Sequence, residues 1–150
     1  MPCKYTIERR VEFSETDLAG IMHFSNFFKF METAEHAFFR SLGHSISMPG
    51  SNLGFPRVNA ACRYLRPVKF EDVIEVTLLI KDVRSKAITY EFQFRHKDDP
   101  DSGLVAIGEL TAVCVSKNEA GKMAATSIPK AISDKLTPVD ESELWRDQRA

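Results

Sequence analysis

The sequence has few of the features that mark secreted, membrane-spanning or metal-binding proteins. Its three cysteines, Cys3, Cys62 and Cys114, lie far apart and form no C-x-x-C pair, which argues against a disulfide framework or a zinc site. Reduced thiols suit a cytoplasmic protein, and this is the location we expect. No run approaches the roughly 18 apolar residues of a membrane span. Residues 1–10 contain no apolar signal-peptide core, so we expect no secretion.

The chain also lacks an excess of either charge. It has 20 Lys and Arg against 21 Asp and Glu, a formal net charge of -1, and no basic stripe. Because non-specific nucleic-acid binding depends on clustered positive charge, nucleic acid is not an expected partner. The 150 residues suit one domain that can form a core without a structural metal. We predict a single domain over 1–150, with a polar tail that is frayed from about residue 137.

One segment has the apolar spacing of an amphipathic helix. Its stripe recurs at spacings of four, three, four and four residues and consists of Phe27, Met31, Ala34, Phe38 and Leu42. The pattern predicts a helix from about Phe24 to Leu42, with Ser25 or Asn26 as the N-terminal cap and Gly43 at its end. The segment carries further aromatic residues, so we expect this helix to be buried on much of its circumference.

Five other segments alternate apolar and polar residues with the period of a β-strand. They run from about Tyr5 to Phe13, Phe55 to Leu65, Val73 to Val83, Ala87 to His96 and Leu104 to Ser116. The last is apolar on both faces, so we expect a layer on each side of it. Residues 44–56 are predicted to form a long loop, and Ile128-Pro129-Lys130 to open a short terminal helix. Short connections favour antiparallel neighbours, so the order predicts an α+β fold with a long helix packed on one antiparallel sheet.

The candidate functional segment runs from Glu15 to Phe27. Asp17 lies in a polar loop, Gly20 follows three residues later, and the helix begins shortly afterwards. A helix N-terminus presents unpaired N–H groups and about half a positive charge, which can polarise a carbonyl. A carboxylate beside that carbonyl could attack the carbon or draw a proton from water, and an acyl thioester suits such a site. Asp17 could equally be a cap or turn residue.

The motif Thr16-Asp17-Leu18-Ala19-Gly20-Ile21-Met22-His23-Phe24 and the helix after it resemble the 4-hydroxybenzoyl-CoA thioesterase family of hotdog proteins. Further matches lie at 64–68, 72–76 and 128–136. The resemblance implies a hotdog fold, with a long central helix wrapped by an antiparallel sheet of about five strands. It also implies protomers that join edge to edge as homodimers, in many members as homotetramers, with the site at the protomer interface.

The same resemblance implies roles for individual residues. Asp17 matches the catalytic aspartate, acting as nucleophile or general base, and the backbone N–H of Phe24 matches the carbonyl-polarising donor, with Gly20 in the same motif. The substrate-binding candidates are Phe27, Phe28 and Phe55 along the acyl group, and Arg84, Ser85 and Lys86 at the CoA phosphates. The aromatic residues could instead be core, and the 84–86 turn could be a solvated turn. No cofactor or metal is expected, because coenzyme A enters as part of the substrate.

Two features of this chain leave alternatives open. Many members have a Tyr-His pair where this chain has His23-Phe24, so His23 could hydrogen-bond the aspartate, line the acyl pocket or be structural. A different hotdog subgroup uses a helical glutamate as its catalytic acid, although for Glu32 and Glu35 solvation or an ion pair is the plainer interpretation.

The predicted function is therefore hydrolysis of an acyl-CoA thioester to a carboxylic acid and free CoA. Two alternatives stay open: a thioesterase that acts on acyl groups held by a carrier protein, and a non-catalytic acyl-CoA-binding hotdog module. The usual His-containing pattern of a hotdog dehydratase is not evident.

Overall fold

In a computed structural model that describes residues 3–146, the alternating segments form one five-stranded antiparallel sheet in the order β1-β4-β5-β6-β3. Its strands are β1 (Lys4–Arg10), β3 (Arg57–Tyr64), β4 (Val73–Val83), β5 (Ala87–His96) and β6 (Leu104–Val113). Strand β3 lies at one edge and pairs with β6, and a β-bulge between Arg57 and Asn59 interrupts the register. The predicted strands and their antiparallel pairing are confirmed.

Helix α1 (Asn26–Ser41) packs against the inner face of this sheet. The buried side chains of its stripe contact the inward residues of β4 and β5, and Phe30, Met31, Ala34, Phe38 and Phe39 are each 0% exposed. The helix passes so close to β6 that a Cβ at Gly108 would overlap the Sδ and Cε of Met31. The predicted α+β fold, with a long helix buried on most sides and packed on one antiparallel sheet, is confirmed.

A second, small sheet lies outside the periodic pattern. It consists of β2 (Leu53–Gly54), β7 (Val115–Lys117) and β8 (Met123–Ala125), in the order β2-β7-β8. The predicted final strand is thus divided at Cys114, and the predicted 44–56 loop contributes a short strand. Because these strands have two or three residues, they are too short for an alternation to be visible in the sequence.

The C-terminal residues are attached to the sheet. The predicted short helix is present as α2 (Lys130–Ser133). Val139 then donates its backbone N–H to the Ile80 carbonyl at 2.9 Å, and Trp145 donates its backbone N–H to the Glu91 carboxylate at 2.9 Å. A frayed tail from about residue 137 is therefore not observed over 139–145, while residues 147–150 lie outside the described part.

Phe13 differs from its prediction as an inward strand residue. Strand β1 ends at Arg10, and a 3-10 turn over Phe13–Glu15 follows, so Phe13 is 72% exposed and faces Phe70. None of the helices within residues 3–146 combines the length and the apolar composition that a membrane span requires.

Candidate active site

The loop between β1 and α1 is fixed to the segment that precedes β4. Val11 donates its N–H to the Asp72 carbonyl at 2.9 Å, and Met22 donates to the Val68 carbonyl at 2.6 Å. His23 in turn donates to the Glu15 carbonyl at 2.8 Å, which closes the loop on itself. These bonds hold the loop in one place at the N-terminal end of α1.

Asp17 lies in a tight turn within this loop. Its backbone N–H donates to the Ile21 carbonyl at 2.9 Å, and its own carbonyl accepts the N–H of Gly20 at 3.0 Å. One carboxylate oxygen accepts the N–H of Ala19 at 2.8 Å. Gly20 has a φ of 79°, a conformation that side chains other than glycine seldom adopt. The turn therefore fixes the half-buried Asp17 side chain through its backbone neighbours.

No side chain caps the start of α1, where the N–H groups of Asn26 and Phe28 donate to the His23 and Ser25 carbonyls at 3.0 and 3.2 Å. Ser25 is the N-cap, and its hydroxyl is bonded to His23 Nδ1 at 2.8 Å. The first helical turn also contains no acidic residue. Among residues 3–146, no hydrogen-bond acceptor serves the backbone N–H of Phe24. The positive end of the helix dipole is thus neither neutralised nor capped by the side chains around it.

Asp17 and Phe24 border the same cavity, which has a volume of about 350 Å³. Its walls are mainly apolar and consist of Ile21, Met22, Phe27, Tyr64, Leu65, Pro67 and Val68, with Arg66 as the cationic side chain. A cavity of this size lies within the usual range for small-molecule sites. It brings one carboxylate and one helix N-terminus together on an apolar wall.

The other predicted site residues of this loop lie beside the cavity rather than on its wall. Gly20 makes the turn, and His23 is stacked on Phe24 with ring centroids 4.4 Å apart. His23 Nδ1 is bonded to the Ser25 hydroxyl, and it accepts the Ser25 N–H at 3.3 Å. These contacts give His23 a structural position at the helix start.

The remaining substrate-binding candidates are not brought together with Asp17 within one chain. Phe28 is half-buried against the core, and Phe55 packs on Phe39 with centroids 5.9 Å apart. Arg84, Ser85 and Lys86 form the turn at the far end of β4, about 35 Å along an 11-residue strand from the end nearest the cavity. Arg84 Nε is paired with Asp82 at 3.0 Å.

Tyr64 and Arg66 border the cavity although the sequence suggested no role for either. The Tyr64 hydroxyl donates to the Phe24 carbonyl at 2.9 Å. Both residues belong to a stretch that resembles the thioesterase family, which was the available signal. No spacing rule connects them to the Asp17 loop, because the hydrogen bond spans 40 residues of sequence.

The two helical glutamates lie away from this cavity. Glu35 is 0% exposed and forms a two-pronged ion pair with Arg57 at the start of β3, while Glu32 Oε1 lies 3.7 Å from the same guanidinium. Burial raises the pKa of Glu35, and the opposing charge of Arg57 only partly offsets that effect. The ion-pair interpretation therefore fits both residues. In the described part of the chain no three His, Cys, Asp or Glu side chains are grouped as metal ligands.

Comparison with known proteins agrees with this architecture. Residues 11–136 match the model of the Thioesterase-like superfamily. A putative esterase of Aquifex aeolicus (strain VF5) is 36% identical over 138 residues, which cover 91% of this chain and 98% of that protein. The 4-hydroxybenzoyl-CoA thioesterase of Pseudomonas sp. (strain CBS-3) is 26% identical over 86 residues, covering 55% of this chain and 61% of that protein.

A solved structure of a gentisyl-coenzyme A thioesterase superposes with a TM-score of 0.75 at 28% identity and covers 86% of this chain and 99% of that one. Fold, family model and relatives thus agree with the resemblance noted in the Asp17 motif. The chain belongs to the Thioesterase-like superfamily, has the hotdog fold, and is a thioester hydrolase.

Proposed function

We propose that this protein hydrolyses acyl-CoA thioesters, with Asp17 as the reacting carboxylate and the backbone N–H of Phe24 as the donor to the thioester oxygen. One observation carries the proposal: Asp17 and Phe24 border the same cavity at the start of α1, and the Phe24 N–H has no acceptor among residues 3–146. The reaction needs water and no cofactor.

The chemistry can follow two balanced routes from this arrangement. As a general base, Asp17 takes a proton from water while the oxygen attacks the thioester carbon, and the C–S bond then breaks to release CoA thiolate. As a nucleophile, Asp17 forms an anhydride and expels the thiolate, and water then cleaves the anhydride. In both routes the Phe24 N–H and the helix dipole stabilise the negative charge that develops on the carbonyl oxygen.

The character of the cavity suggests which acyl groups to test first. Its walls include Phe27, Tyr64 and Pro67, and Arg66 is its cationic member. Two relatives are named for 4-hydroxybenzoyl-CoA and gentisyl-CoA, both aromatic thioesters. We therefore place aromatic acyl-CoAs first in a substrate panel, followed by aliphatic chains of increasing length.

We also propose that two protomers pair through β3. This strand lies at the sheet edge, and Val58 is 64% exposed although it is apolar. Antiparallel pairing of two such strands would place the Arg57 end of one beside the Tyr64 end of the other. The strand registers place the Arg84–Lys86 turn at the Arg57 end of the sheet, so pairing would bring this turn and Phe55 towards the partner's cavity.

Replacing Asp17 by Asn tests the catalytic proposal. The change keeps the side-chain shape but removes the base, so we expect a fall in kcat of about 10²- to 10⁴-fold. Thiol release from the substrate panel measures it, and circular dichroism and the Tm report the fold. Asp101→Asn, the same change in an exposed loop, should leave turnover as it is.

Three outcomes would separate the alternatives. Unchanged thiol release by Asp17→Asn would remove Asp17 from the mechanism. Faster release from an acylated carrier protein than from the same acyl group on CoA would reassign the donor. Tight acyl-CoA binding without turnover across the whole panel would identify a binding module.

Sedimentation of the wild type tests the proposed pairing of protomers, and a monomer at about ten times the assay concentration would contradict that pairing.

A further inference from the structure

We infer that Tyr64 is a positioning residue for hydrolysis: its hydroxyl ties the Phe24 carbonyl to the edge of the sheet, and so it holds in place the backbone whose N–H is proposed to bind the thioester oxygen. The inference rests on the proposed function of that N–H. It assigns a role to a side chain that does not itself have to react.

Tyr64 connects the edge of the sheet to the start of the helix. It is the last residue of β3 and lies opposite Ala106 of β6. Its ring meets that of Phe27 edge-on at 5.0 Å between centroids, and Phe27 in turn meets Phe94 of β5 at 5.3 Å. The hydroxyl is therefore carried on a strand residue that is 43% exposed and whose ring packs on Phe27 of the helix.

The hydrogen bond acts on one of the two peptide planes that flank Phe24. The plane before it is fixed because the His23 carbonyl accepts the Asn26 N–H at 3.0 Å. The plane after it is fixed because the Phe24 carbonyl accepts the Tyr64 hydroxyl at 2.9 Å. The Phe24 N–H lies in the first of these planes, so Tyr64 acts on it indirectly, by tying the Phe24 backbone to the end of β3.

The anchoring continues behind the turn. Asn26 is 7% exposed, and its side-chain amide donates to the Glu15 carbonyl at 2.8 Å. The turn is thus held from the loop side by Asn26 and from the sheet side by Tyr64. Without the Tyr64 bond, the Phe24 carbonyl loses its donor, and the sheet-side restraint on the plane is gone.

The Tyr64 phenol also stays a donor at working pH. Burial raises its pKa to about 12, with a further increase from nearby Cys62. The hydroxyl therefore keeps its proton throughout the neutral range, and it cannot act there as a general base.

Tyr64→Phe is the decisive variant, because it keeps the ring on Phe27 and removes only the hydroxyl. We expect kcat to fall about tenfold with KM changed less than threefold, since the Phe24 backbone is no longer tied to the sheet while the walls of the cavity stay in place. Tyr5→Phe is the matched control. The Tyr5 ring packs on Phe38 with centroids 6.2 Å apart, and it does not border the cavity, so turnover should be unchanged.

A spectroscopic readout separates positioning from general destabilisation. In the Asp17→Asn background, the panel member that the wild type turns over fastest can be held uncleaved, and its thioester C=O stretch can be measured by Raman difference spectroscopy. The frequency should rise when Tyr64→Phe is added, because the carbonyl is less polarised.

Each result has a distinct meaning. Unchanged kcat and an unchanged C=O frequency in Tyr64→Phe would overturn the inference even if Asp17→Asn is inactive. A raised KM with unchanged kcat would also overturn it, because Tyr64 would then be a binding wall. Full activity of Asp17→Asn would instead contradict the proposed function, independently of Tyr64.

Discussion

At the C-terminal end of helix α1 several carbonyl groups accept hydrogen bonds from beyond the helix, whereas at its N-terminal end the Phe24 N–H has no acceptor among residues 3–146. His44 donates its N–H to the Phe39 carbonyl at 3.0 Å, Gly43 donates to Arg40 at 3.0 Å, and Lys135 Nζ donates to Leu42 at 2.8 Å. The lysine also places a positive charge beside the negative end of the dipole.

This difference separates stability from function within one helix. The N-terminal end forgoes the side-chain cap that is typically worth about 1 kcal/mol. The Phe24 N–H just before this end has no acceptor among residues 3–146. The C-terminal end bonds its carbonyl groups to the loop that follows and to Lys135. Changes at the two ends should therefore affect different measurements.

Ser25→Asp should have the largest effect, because it makes the N-terminal end resemble an ordinary capped helix. The new carboxylate lies beside the positive end of the dipole and competes for the N–H groups that are proposed to face the oxyanion. We expect kcat to fall about ten- to hundredfold, while the free energy of unfolding rises by about 0.5 kcal/mol. Thiol release and chemical denaturation measure the two quantities.

Two controls sharpen this test. Ser25→Asn has nearly the same shape without the charge, so it should keep most of the turnover. Ser41→Asp places the same carboxylate at the other end of α1, where it should lower the unfolding free energy by about 0.5 kcal/mol and leave turnover alone. Equal losses of activity from both Asp variants would show that the two ends do not differ in function.

Gly43→Ala should have a smaller effect, confined to stability. Gly43 has a φ of 87°, and a Cβ built there meets no atom within 4 Å. The cost is therefore conformational, about 1 kcal/mol or a fall of a few degrees in Tm. Turnover at 25 °C should not change. Gly43→Asn should recover part of the loss, because asparagine tolerates this conformation, and no recovery would contradict the conformational account.

The parts of the fold that the sequence predicts are those with long, regular patterns. Strand β4 has the predicted bounds, Val73 to Val83, because its alternation runs through Ile74, Val76, Leu78 and Ile80 before a β-bulge between Ile80 and Asp82. Phe13 continues the apolar alternation of β1 in the sequence, yet it lies in a turn, because the chain leaves the sheet after Arg10. The alternation of apolar and polar residues does not show where a strand stops pairing with its neighbour.

Only the part of the candidate site that lies within one continuous segment could be predicted from the sequence. Asp17, Gly20 and Phe24 are close in sequence, so their spacing predicted a carboxylate beside a helix start. Tyr64 was missed as a contributor because one hydrogen bond between distant residues leaves no pattern. The Arg84–Lys86 turn lies at the far end of the sheet within its own chain, and the role proposed for it depends on the proposed pairing of two chains.

Gly108 allows helix α1 to lie close to β6, since any side chain there would overlap Met31. The atoms that a Cβ would meet are the Sδ and Cε of the flexible Met31 side chain, so a larger residue at 108 would have to displace that side chain. Met31 lies on the same helix as Phe27, which borders the cavity. Varying residues 31 and 108 together would test whether the packing of helix on sheet affects the size of the cavity, without replacing any residue that lines it.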